Sequence, residues 1–108
     1  MKTQSTRKTV GSHLGDLDQR AEEVAGLLAA MANPKRLMVL CNLIDAERAV
    51  GELAGIVGLS SAALSQHLGK MRALGLVATR RDGQTIYYRL ASREVHEVLQ
   101  TLYRVYCR

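Results

Sequence analysis

The chain contains no tryptophan and no phenylalanine, and its four aromatic residues are all tyrosines. Aliphatic side chains must therefore fill any core, which favours helix packed on helix. Only one proline, Pro34, interrupts the 108 residues, and the composition is far from that of a disordered chain, so one compact domain is expected. A domain of this size buries only about 60–70% of its unfolded surface. No apolar run approaches the roughly 18 residues that a membrane span needs. The opening stretch MKTQSTRKTVGSHLG lacks the apolar segment of a signal peptide. These absences predict a cytoplasmic protein with no membrane partner. Cysteine is scarce too: Cys41 and Cys107 are the only two, and in a reducing compartment they are not expected to form a structural staple.

What is present is a net charge of +5, unevenly spread. Residues 1–15 carry Lys2, Arg7 and Lys8 and no acid. Residues 16–59 are acidic in balance. Residues 60–90 set Lys70, Arg72, Arg80, Arg81 and Arg89 against Asp82 alone. A basic segment following an acidic one suits a surface built for a polyanion. Charge alone does not separate this from a solvated basic face; the architecture of the segment does.

Residues 1–15 lack periodicity and read as a mobile basic tail, and residues 16–108 as the folded domain. Leu17, Val24, Leu27, Leu28 and Met31 recur at helical spacing, predicting a first helix from Asp16 to about Ala32. Asn33-Pro34 suits a helix start, and Leu37, Leu40, Cys41 and Ile44 fall on one face of a second helix. Val50–Val57 is short and helical, Gly58-Leu59 turns, and Ser60 caps a helix reaching about Leu74. This is a helix-turn-helix pattern. On its second helix Leu64, Leu68 and Met71 share one arc, while Ala62, Gln66, Gly69 and Ala73 point the other way. Two β-prone runs around Asp82-Gly83 then predict a hairpin with a basic tip. The expected fold is thus mainly α with a small β-hairpin, a winged helix in the order of four helices, two strands and a fifth helix. That last helix, capped by Ser92, carries Val95, Val98, Leu99, Leu102, Tyr103 and Tyr106. They are too many for one core stripe, so the surplus, with the first helix, predicts a subunit interface.

Ser61, Ala62, Ser65 and Gln66 are assigned to base edges. Glutamine pairs bidentately with adenine and an alanine methyl meets that of thymine, so the expected partner is a double-stranded, AT-rich operator. Lys70, Arg80 and Arg81 suit phosphates or the groove beside the wing. His67 flanks the apolar arc, where a structural hydrogen bond and a DNA contact are equally open. No Cys-X-X-Cys and no convincing Ser-His-acid set is present, so an enzyme is not expected.

Asn33-Pro34-Lys35-Arg36-Leu37 with Leu40, the segment Leu59-Ser60 to Leu64-Ser65-Gln66-His67-Leu68, and the wing Arg81-Asp-Gly-Gln-Thr-Ile-Tyr-Tyr-Arg-Leu resemble the ArsR/SmtB family of bacterial winged-helix repressors. The resemblance spans residue 17 to the end. It implies a homodimer through the first and last helices, and a repressor that leaves an inverted-repeat operator when its inducer arrives. The family's thiolate metal site would need a cysteine pair on Val50–Val57, which has no Cys, His or Asp. Its C-terminal-helix zinc site would need a second His beyond His96. Neither pattern is present, and no metal or cofactor is expected. Cys41 and Cys107 instead match the positions of the BigR/SqrR subgroup. That likeness implies reactive sulfur species (persulfide or polysulfide) as inducer and sulfide-detoxification genes as targets.

Two thiols cannot close a four-ligand zinc site, but one can attack and the other resolve in redox chemistry. Cys107 lies near Arg104 and Arg108, and positive charge favours a thiolate. Cys41, on an apolar face, reads better, taken alone, as a small core residue, and it is the pair with Cys107 at the subgroup's positions that favours a sensor. The rival readings are a metal- or arsenite-responsive repressor using Cys41, Cys107 and His13 or His96, a small thiol oxidoreductase, and a DNA binder with no inducer.

Overall fold

Three of the helices begin where a short polar side chain, Asn33, Ser60 or Ser92, accepts from the first unpaired N–H groups. In the computed structural model, which describes residues 14–107, α1 spans Ala21–Met31 and α2 spans Pro34–Cys41. Asn33 Oδ1 accepts from the backbone N–H of Lys35 and of Arg36, both at 3.0 Å, and Pro34 takes the first position of α2. β1 is Arg48–Ala49, α3 Val50–Val57 and α4 Ser61–Ala73, which Ser60 caps through the Ala63 N–H at 3.1 Å. β2 (Val77–Asp82), β3 (Thr85–Leu90) and α5 (Arg93–Tyr106) complete the chain, with Ser92 accepting from Val95 at 3.1 Å.

The helices and the hairpin stand where the residue pattern puts them, with three differences, of which the first is that α2 ends at Cys41 and leaves Ile44 in the bend beyond it. Helical conformation is present from residue 14 to 19, and a turn at Arg20 separates it from α1. The segment expected to be a polar break over Asp45–Arg48 ends instead in β1, which makes the sheet three-stranded, antiparallel and ordered β1-β3-β2. A two-residue strand leaves no periodic trace in sequence. The basic tail lies, up to residue 13, outside the described residues.

The core is aliphatic, as the missing aromatics require. Leu64, Leu68 and Met71 of α4 are fully buried against Leu53 of α3, Val39 and Leu40 of α2, Leu76, Val77, and Val95 and Leu99 of α5. No polar or charged residue is buried among the described residues. α1 and α2 meet at 94°. Gly58 ends α3 at φ +71°, a left-handed conformation that a side chain would strain, and so makes the sharp bend into α4.

Candidate nucleic-acid interface and thiol pair

The buried arc of α4 dictates what its other face offers. With Leu64, Leu68 and Met71 turned inward, Ser61, Ala62, Ser65, Gln66, Gly69, Lys70 and Ala73 are exposed. The exposed surface is thus small and hydrogen-bonding at its centre, with Lys70 and Arg72 in the last turn. His67 is half-buried, on the flank. Beside this face the wing, the N-terminal end of α3 and α4 enclose a cleft of about 430 Å³. Its lining includes Ser65, Gly51, Gln84 and Thr85. Recognition helix and wing therefore open onto the same side.

Strand register separates the two wing arginines. Arg81 is the cross-strand partner of Ile86, whereas Arg80 is the partner of Tyr87, which in turn pairs with Ala49. Neighbouring strand positions point to opposite faces, so Arg81 shares its face with Ile86 and Tyr88, and Arg80 stands on the other. Arg81 is exposed. Arg80 is engaged: its Nε donates to Glu47 Oε1 at 2.6 Å, and its guanidinium lies 4.6 Å from the centre of the Tyr87 ring. The hydrogen bond from Arg80 holds the Glu47 carboxyl below the usual glutamate range. Nothing in the sequence signals Glu47, because the pair is separated by 33 positions.

The Asn-Pro-Lys-Arg segment has a second role beyond the cap. Lys35 Nζ donates to Val57 O at 2.5 Å and would stand 3.7 Å from a Cβ at Gly58. An ammonium thereby satisfies a terminal carbonyl of α3, at the negative end of that helix's dipole. It ties α2 to the turn of the helix-turn-helix.

Cys41 is the last residue of α2, half-buried against the core, and Cys107 follows α5, exposed. Burial pushes the Cys41 thiol pKa up, and the nearby Cys107 pushes it further. The two cysteines are 66 positions apart in sequence and stand at the C-terminal ends of α2 and α5. Both are free. Arg104 donates to Thr101 Oγ1 at 3.3 Å. His96 Nε2 lies 3.1 Å from Ile44 O, where its N–H donates to the carbonyl and ties α5 to the segment following Cys41. Among the described residues no three His, Cys, Asp or Glu side chains cluster as a metal site would require. His13 lies outside those residues.

The profile described as "Bacterial regulatory protein, arsR family" matches residues 33–79. The nodulation protein NolR of Rhizobium meliloti is 58% identical over 80% of this chain and 70% of its own length. The transcriptional activator HlyU of Vibrio cholerae is 45% identical over 88% of both chains, and the structure of its reduced form superposes with a TM-score of 0.82 over 86% of this chain and 98% of that one. The biofilm growth-associated repressor of Xylella fastidiosa is 41% identical over 85% of this chain and 81% of its own. The solved structure of the repressor BigR from that organism gives a TM-score of 0.80 over 87% of this chain and 96% of that one.

Proposed function

Because the chain belongs to the arsR family of bacterial regulatory proteins, a family of DNA-binding transcriptional regulators and not enzymes, we propose that it is a dithiol redox-sensing repressor. In this reading the reduced homodimer binds an AT-rich inverted repeat in the cytoplasm. Persulfide or polysulfide joins Cys41 to Cys107 and releases the DNA, derepressing sulfide-detoxification genes. The observation that supports it is the placement of the chain's two cysteines, both free, at the C-terminal ends of α2 and α5, with Cys41 half-buried and Cys107 exposed. The relatives named above include both an activator and a repressor. Repression is favoured here by the likeness to the repressor BigR, which covers 87% of this chain.

Ser61, Ala62, Ser65 and Gln66 read base edges. Lys70 and Arg81, with His67 at the flank, contact the backbone, and Arg80 supports the wing. The dimer forms through α1 and α5. Val95 and Leu99 use one side of α5 for the core, leaving Tyr103, Val105 and Tyr106 exposed, the last by 79%, alongside Leu28 of α1. A groove of about 480 Å³ between the two helices is lined by Val24, Leu27, Leu28, Leu76 and Val98. An unpartnered apolar face of this kind marks an association surface.

The chemistry balances without metal. Exposed Cys107, as thiolate, takes the terminal sulfur of a persulfide RSSH, giving Cys107–S–SH and RS⁻. Cys41 thiolate then attacks the inner sulfur, forming the disulfide and expelling HS⁻. If Cys41 is first persulfidated as well, its loss of H₂S with Cys107–S–SH gives a trisulfide, which tolerates a longer span than the roughly 7 Å Cα limit of a disulfide. Treating reduced protein with glutathione persulfide and mapping peptides by mass spectrometry should reveal a Cys41–Cys107 bridge. Cys41→Ser and Cys107→Ser should each bind DNA as the parent does and resist release. Release persisting in both variants would end this reading.

A further inference from the structure

The hairpin extends beyond its support. β1 pairs only with Tyr87 and Tyr88, so the rungs Arg81–Ile86 and Asp82–Thr85 have no third strand. At the last supported rung, Arg80 reaches back to Glu47, immediately before β1. Among the described residues this is the one side-chain hydrogen bond that joins the hairpin to the rest of the chain. Tyr87 holds the guanidinium from below, and Asp82 and Arg89 are the other charges felt by the pair. Arg80 is thereby committed on the face opposite Arg81.

We propose that Glu47 is a positioning residue for DNA binding: by clasping Arg80 it fixes the angle at which the wing presents Arg81 and the Gly83-Gln84 tip to the duplex. The inference rests on the reading of the wing as a DNA contact. It makes a prediction of opposite sign to simple charge. Deleting an acidic group from a basic protein strengthens non-specific DNA binding if only electrostatics acts. Deleting a clasp weakens it, because the wing must then be ordered at the moment of binding.

The test is fluorescence anisotropy of the full, reduced chain on a mixed-sequence duplex spanning two successive major grooves, across a salt series. E47Q should bind about two- to fivefold more weakly, the range an exposed ion pair supplies. The charge swap E47R/R80E, with unchanged net charge, should recover most of that loss, and R80Q should cost less in the E47Q background than alone. At neutral pH the melting temperature should fall only slightly, since a pair this accessible to solvent contributes little to folding. E47Q binding equally or more tightly, or a swap that rescues nothing, overturns the proposal. Arg81→Gln, measured alongside, tests the wing itself: a salt slope that does not fall would sink the wing contact, while the sign of the E47Q effect still decides the role of Glu47.

Discussion

Removing the Asn33 side chain strips two backbone N–H groups of their acceptor at once. Asn33→Ala should lower the unfolding free energy by about 1 kcal/mol, measured by urea titration, with Pro34 limiting the fraying that follows. Acid acts on a different residue. Arg80 depresses the Glu47 pKa and Arg20 depresses that of Glu23, each first through a hydrogen bond. A depressed folded-state carboxyl contributes stability that is fully present above the usual value of 4.5 and is lost as pH falls through the folded value. Stability should therefore decline below pH 4.5, and the decline should be shallower in E47Q. Identical acid limbs in the two proteins would show that the pair contributes nothing to folding. At this scale the sequence was partly legible. Asn33, Ser60 and Ser92 were recognisable as caps because capping is local. The partners of Lys35, Arg80 and His96 were not, because Val57 O, Glu47 and Ile44 O lie far along the chain and leave no periodic mark.

Elements were the most legible level, since helical spacing and turn chemistry act over a few residues. Helical spacing puts Leu64, Leu68 and Met71 on the inner arc of α4, and all three are fully buried. The sequence centres the hairpin on Asp82-Gly83, but Asp82 pairs with Thr85 and the connecting residues are Gly83 and Gln84. Gly83 has φ +64° and no residue other than glycine has positive φ among the described residues. Glycine at the first central position followed by ordinary backbone is the II′ arrangement, not I′. Gly83→Ala strains that turn and should shift the wing more than it unfolds the domain. DNA affinity should drop severalfold while the melting temperature moves little. Leu68→Ala is the contrasting case. It opens a cavity between α3, α4 and the sheet and should cost about 2–5 kcal/mol by urea titration. If Gly83→Ala instead unfolds the domain as Leu68→Ala does, the wing is a core element and not an appendage.

At the scale of the whole molecule, the segment 42–49 joins the proposed sensor to the proposed DNA-reading surface. It begins after Cys41, receives Arg48 Nε at Asn42 O at 2.7 Å and His96 at Ile44 O, and ends in the Glu47 clasp and β1. A bridge between Cys41 and Cys107 would bear on α5 and on this segment together. Moving the dimer from nearly all bound to nearly all free requires roughly a 10⁴-fold difference in affinity between its two states. That difference depends on two recognition helices being held about 34 Å apart, which one subunit alone cannot supply. Dimerisation is thus the premise to test first. If α1 and α5 form the interface, the melting temperature of the reduced protein should rise with protein concentration, because dissociation is then coupled to unfolding. A Leu28→Glu, Tyr106→Glu double variant should sediment as a monomer, melt independently of concentration, and show about half the salt slope per DNA-bound unit, since one subunit displaces half the counterions. A wild-type chain that sediments as a monomer would leave the exposed α1 and α5 side chains unexplained and remove the lever on which release depends.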